Sequence, residues 1–162
     1  MVWNLTNIVS LIFSIFFCHL AGLLGAVFTL MRYTSWYVHL KKPSFHPPFW
    51  VFGTVWTILY TLIGISLYIL YKHGLNQPKV LAASFYLVLL FVLNSAWPMM
   101  FLGFKSFRGG LIAISVLWIF TIITIYHFSL VSGIAAILLI PYLLWISFLA
   151  VLNFTLWELN KP

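Results

Sequence analysis

The chain has 162 residues, 64% of them hydrophobic and 6% charged, with a formal net charge of +7. A water-soluble domain carries about 25% charged residues, so this chain cannot cover a water-facing surface and is solvated by lipid. Its eight Lys and Arg stand against a single acid, Glu158; they fall singly or in pairs between apolar runs, which argues against a nucleic-acid partner and for loop charges that orient a membrane protein.

Five segments reach the roughly 20 apolar residues needed to cross hydrocarbon. In chain order they are Thr6–Met31, Pro47–Tyr71, Val80–Leu102, Gly109–Tyr126 and Val131–Trp157. Lipid offers the backbone no hydrogen-bond partner, so each is expected to be a helix. The fold class is therefore an all-α membrane protein, with residues 1–162 forming a single five-helix transmembrane domain. An odd number of spans disfavours a transporter built of two inverted halves.

The first span has no basic segment before it and is too long for a cleaved leader, so it reads as a retained helix. Cys18 lies inside it as the lone cysteine, which excludes an intrachain disulfide and fits a small buried hydrophobe. Ala21/Gly25 and Gly22/Ala26 are small pairs at four-residue spacing, a notch for close helix approach. His19 is the one deep ionisable side chain. A hydrogen bond to a neighbouring helix is expected for it, with axial ligation of haem iron as the alternative.

The first loop ends in "KKPSFHPPFW", Lys41 to Trp50. Pro47 and Pro48 sit where the second helix begins, where a missing N–H costs nothing. The stretch reads as a rigid lip with Lys41 and Lys42 at the membrane surface. Beyond it Phe49, Gly53, Trp56, Tyr60 and Gly64 follow three- and four-residue steps and share one helix face. Large rings alternating with glycine can receive a flat aromatic ligand. Trp50 fits the interfacial aromatic belt, whereas Trp56 lies two turns deeper.

The third span carries "LNSAWP". Asn94 is a polar group at mid-span depth and must be satisfied by another helix, a water or a ligand. Pro98 also frees the carbonyl four residues earlier. In the last span Pro141 frees the carbonyl of Ile137, and Tyr142, Trp145, Leu149 and Asn153 run along nearly one face. The first and third loops and the C-terminal tail share one side, with Arg32, Lys41, Lys42, Lys105, Arg108 and Lys161; the other side holds Lys72 and Lys79. The positive-inside bias puts the C-terminus in the cytoplasm and the N-terminus outside.

Three blocks, "WYVHLKKPSFHPPFWVFGTVWTILY", "LNSAWPMMFLG" and "PYLLWISFLAVLNF", lie in the order and at the spacings of the translocator protein, or tryptophan-rich sensory protein, family, which the chain resembles over the first loop and the last four spans. The resemblance implies a ligand pocket inside the bundle under the first loop, which acts as a lid. It also implies binding of porphyrins or other haem-related molecules and benzodiazepine-type ligands, contact with membrane lipid, and a homodimer. Trp56 and Trp145 match the tryptophans linked to light-dependent porphyrin breakdown and are the candidate photochemical residues. Asn94, Trp97, Tyr142 and Leu149 match positions at or beside the pocket. With Trp36, Phe49, Gly53, Tyr60 and Phe148 they complete the expected ligand-binding set. Three departures stand out. Leu149 replaces a common alanine and is expected to narrow the pocket or alter the dimer. Thr54 replaces a proline. Phe154 and Glu158 stand where animal members carry a tyrosine and a base linked to cholesterol.

No acid–base pair and no histidine pair at metal spacing is present, so neither a hydrolase nor a metalloenzyme is expected, and no cofactor. Arg32, Lys41 and Lys42 could pair with ligand carboxylates. Three functions stay open: a receptor or sensor binding tetrapyrroles, a light-dependent porphyrin degrader, and a facilitative carrier of lipid or sterol.

Overall fold

The computed structural model describes residues 5–32 and 35–161, with the side chains at 24, 26, 28, 30–32 and 35 outside the description. Its elements are α1 (Leu5–Arg32), a short α2 (Ser35–Val38) in the first loop, α3 (Phe49–Tyr71), α4 (Pro78–Pro98), a π turn (Met99–Gly103), α5 (Phe107–Ser129), a short α6 (Gly133–Ile137) and α7 (Ile140–Leu159). Among the described residues five helical segments are long and apolar enough to cross a membrane; α1 (Leu5–Arg32) and the other four segments match the expected spans to within a few residues at each end. The protein is an integral, multi-pass membrane protein.

The prolines decide where the helices stop. Pro48 caps α3, which starts at Phe49 rather than at Pro47. Pro98 ends α4; the chain widens into the π turn, closed by the Phe104 N–H on the Met99 carbonyl at 3.0 Å. Pro141 was expected inside one unbroken last span. Instead the helix breaks at Leu138–Leu139 and restarts with the proline in its first turn, because the ring would clash with the Ile137 carbonyl and cannot donate to it. The break strands the Ala135 carbonyl, and Ser66 of α3 donates to it at 2.6 Å. A polar group that water would satisfy in a soluble protein is here satisfied by a neighbouring helix.

Helix α1 packs on α3 and α4, α4 on α5, and α5 on α7. Glycines set the tightest approach. A Cβ at Gly64 would lie 2.5 Å from the Ile15 Cα, and one at Gly22 would lie 2.2 Å from the Tyr60 ring. The small residues of α1 thus serve packing within the bundle; Ala26 falls outside the described side chains. Cys18 is fully buried in the core. Lys41 meets Asn160, and Arg108 lies over the Trp157 ring at 5.6 Å, so the first loop, the third loop and the tail gather at one end of the bundle.

Because backbone cannot yield as a flexible side chain can, Gly64→Ala should push α1 off α3 and cost about 1–3 kcal/mol. Gly53, where an added Cβ meets nothing within 4 Å, should accept alanine with no loss. Thermal unfolding of both variants in detergent measures the contrast.

Candidate ligand-binding site

A cavity of about 420 Å³ lies between α1, α3, α4, the π turn and the first loop, within the range of small-molecule sites. Each wall follows from helical spacing. From α1 come His19, Gly22, Gly25 and Thr29; from α3 come Phe49, Gly53, Trp56 and Tyr60. Glycine on both facing walls leaves the space open. Helix α4 and the π turn add Asn94, Trp97 and Phe101, and the first loop adds Tyr37 and His46.

The walls are flat rings. Trp56 stacks on Tyr60 with centroids 5.6 Å apart and planes at 22°, and Trp97 stacks on Phe101 at 5.7 Å and 18°. Two amides hold these walls. Asn94 donates to the Tyr60 hydroxyl at 2.7 Å and accepts from the Tyr142 hydroxyl at 2.9 Å, joining α4 to α3 and α7. Asn153 accepts from the Trp97 indole at 3.2 Å and donates to the Phe107 carbonyl at 3.1 Å, joining α7 to α4 and α5. Gly110 makes room for it: a Cβ there would sit 2.6 Å from the Asn153 Oδ1.

The roof is fastened twice. Tyr37 and His46 share a hydrogen bond of 2.8 Å through the His46 Nε2. Burial and the nearby Lys42 charge push His46 below its ordinary value of 6.5, so near neutral pH its ring is uncharged and Tyr37 donates. Asn160, at the end of α7, accepts from the Lys41 N–H at 2.9 Å and donates to the Lys41 carbonyl at 2.9 Å. Lys42 donates to the Val38 carbonyl at 3.0 Å, and its ammonium lies 5.3 Å from the Tyr37 ring centroid, which places a positive charge beside the roof.

Of the expected site residues, Phe49, Gly53, Trp56, Tyr60, Asn94 and Trp97 line the cavity. The rest lie behind it. Tyr142 is buried and backs the cavity wall through its bond to Asn94 and its ring contact with Trp56 at 6.1 Å. Trp145 meets Trp56 edge-to-face at 6.4 Å but borders a separate outer groove with Val55, Ile58 and Pro141, and its buried indole N–H has no partner among the described residues. The two tryptophans therefore touch, but Trp56 lines the cavity and Trp145 packs behind it against Phe52 and Trp56. Phe148 stacks on Trp145 at 5.3 Å, and Trp36 lies 5.3 Å from Phe107. Leu149 is 2% exposed in a cluster with Phe101, Ile114 and Leu152; it is core packed behind lining residues and is not itself in the cavity wall. His19 bonds the Ile15 carbonyl of its own helix at 3.0 Å, not a neighbouring helix as expected. Thr54 likewise bonds back to the Trp50 carbonyl. The Arg32 side chain lies outside the described residues. Sequence reasoning missed Tyr37, His46 and Asn160 as roof residues. The histidine beside the prolines was the available signal; Asn160 gave none.

The model of the TspO/MBR family matches residues 14–158. This chain belongs to the TspO/MBR family. It is 41% identical to the tryptophan-rich protein TspO of Archaeoglobus fulgidus over 157 residues, covering 95% of this chain and 99% of that one. It is 34% identical to the translocator protein of Bos taurus over 144 residues, 88% and 85% of the two chains. A tryptophan-rich sensory protein of Cereibacter sphaeroides is 33% identical over 132 residues, 81% and 80% of the two chains.

The roof's fastenings predict its opening. A lowered His46 value means that the closed roof binds a proton less readily than the open one. Closure is therefore fully supported above about pH 6.5 and weakens as pH falls through the lowered value. Amide hydrogen exchange over residues 39–48 should speed up on acidification beyond its intrinsic pH dependence, and His46→Gln should remove that excess. Asn160→Ala should speed exchange at Lys41 at every pH. Unchanged exchange in both variants would mean that neither contact holds the roof.

Proposed function

We propose that this TspO/MBR family member is a membrane receptor of the sensor type that binds porphyrins and related flat apolar ligands beneath its first loop, and promotes their transport or light-dependent breakdown. The relatives named translocator protein and tryptophan-rich sensory protein support a sensor- or receptor-type role. The observation that carries the finer reading is the cavity itself. It is about 420 Å³ in volume, walled by the stacked pairs Trp56–Tyr60 and Trp97–Phe101 and roofed by a loop carrying Lys42. Flat rings suit a macrocycle's faces, and lysine suits its carboxylates. The C-terminus, the first loop and this roof then face the cytoplasm, following the bias of basic residues.

On this reading light-dependent breakdown begins when a photoexcited porphyrin takes one electron from the Trp56 indole, and dissolved dioxygen is the oxidant that then opens the macrocycle. The indole is a readily oxidised side chain, and Trp145, whose ring lies 6.4 Å from that of Trp56, would return the electron that Trp56 gives up. Titration of the tryptophan fluorescence with protoporphyrin in the dark tests binding; decay of porphyrin absorbance under fixed light tests breakdown. Trp56→Phe should keep the dissociation constant within about tenfold, or 1.4 kcal/mol, while bleaching slows strongly; Trp145→Phe should slow it less. Wild-type bleaching in both variants with normal binding would leave a receptor without photochemistry, and no dark binding at all would remove the porphyrin reading.

A further inference from the structure

We propose that His19 is the polar recognition residue at the inner end of the cavity, where its Nε2 accepts a hydrogen bond from an O–H or N–H group on the inner edge of a flat apolar ligand. The His19 Nδ1 lies 3.0 Å from the Ile15 carbonyl oxygen. A carbonyl can only accept, so Nδ1 carries a proton, and with that single proton on the ring Nε2 is a bare acceptor. No described residue bonds that nitrogen. The other cavity histidine differs, because the Nε2 of His46 is engaged by Tyr37. The neighbouring polar groups are also engaged: Asn94 is bonded by Tyr60 and Tyr142. His19 Nε2 thus has no partner among the described residues, on a wall that is otherwise mainly apolar.

Its position defines which part of a ligand meets it. Along α1 the cavity runs from His19 to Thr29, ten residues or about 15 Å of helix rise. Lys42 stands at the roof end, over Tyr37. A ligand with carboxylates on one edge turns that edge to the lysine and its opposite edge to His19. The Tyr60 ring, 6.2 Å from the His19 ring, confines that edge from the side. An inner edge of plain hydrocarbon leaves Nε2 unpaired in a water-poor space, whereas a hydroxyl or N–H there satisfies it. The preferred ligand class is a dicarboxylate macrocycle, or a similar flat molecule, with a donor on the edge remote from its carboxylates. This inference rests on the porphyrin reading of the pocket and narrows it.

Protoporphyrin and haematoporphyrin form a matched pair of probes. The second carries hydroxyethyl groups where the first has vinyl groups, on the edge away from the propionates. Both are metal-free, so ligation of iron plays no part. The measurement is the ratio of their dissociation constants in the dark for wild type, His19→Phe and His19→Gln. Comparing two ligands on one sample cancels any loss of folded protein, and His19→Leu serves as a second acceptor-free variant. The wild-type ratio should favour haematoporphyrin by about fivefold more than the His19→Phe and His19→Leu ratios do, the effect of one ordinary hydrogen bond. His19→Gln, whose carbonyl accepts, should follow the wild type. The same ratio in all variants overturns the proposal while leaving the porphyrin pocket standing. Failure of the wild type to bind either probe overturns both.

Discussion

A polar side chain inside hydrocarbon has no water to bond, and Asn94 shows what that constraint does to a fold. Its amide must find partners on other helices, and it finds the Tyr60 and Tyr142 hydroxyls. Those two bonds fix α4 against α3 and α7 at one depth. Asn153 repeats the device nearer the roof, tying α7 to Trp97 and to the start of α5. Lipid supplies little hydrophobic drive between helices, so such bonds and close glycine packing carry much of the specificity of association. The cavity is what remains when α3 and α4 are pinned this way and α1 faces them with Gly22 and Gly25.

The same constraint divides the site by polarity along its length. The middle is ring on ring, where a flat ligand displaces little. Polar groups with bonding capacity beyond the helix bundle stand at the two ends, His19 deep inside and the Tyr37–His46 pair under the roof, while Asn94 between them is bonded to Tyr60 and Tyr142. The roof hangs from a bond pair to Asn160, which lies 119 positions away along the chain from Lys41. The end of the last helix therefore influences access to a cavity that it does not line. The tail also carries the Glu158–Lys161 ion pair, and Lys161 lies over the Trp157 ring at 4.5 Å, which anchors the helix end that holds the roof.

The five spans were legible because hydrocarbon thickness sets their length and charge marks their ends. Asn94 was legible as a group in need of partners, since a mid-span amide admits few alternatives. Its partners were not, because they depend on how three helices rotate. Pro141 was read as a local defect in one helix, and in fact it starts a new one. Trp145 and Leu149 share a helix face with Tyr142 by spacing, yet that face packs behind the lining residues Trp56 and Asn94 rather than lining the cavity itself; a helical wheel gives faces but not neighbours. Asn160 was silent because loop docking depends on backbone conformation that residue type does not determine.

The central claim is that the space bounded by α1, α3 and α4 under the first loop is where the ligand sits. Gly53 gives direct access to it, since a side chain there enters open space on the cavity wall. Gly53→Leu should leave thermal unfolding in detergent unchanged or slightly raised, because leucine is the better helix former by up to about 1 kcal/mol. Protoporphyrin affinity in the dark should fall more than about tenfold, or 1.4 kcal/mol. A stable Gly53→Leu protein that binds protoporphyrin as the wild type does would place the ligand elsewhere and contradict the account.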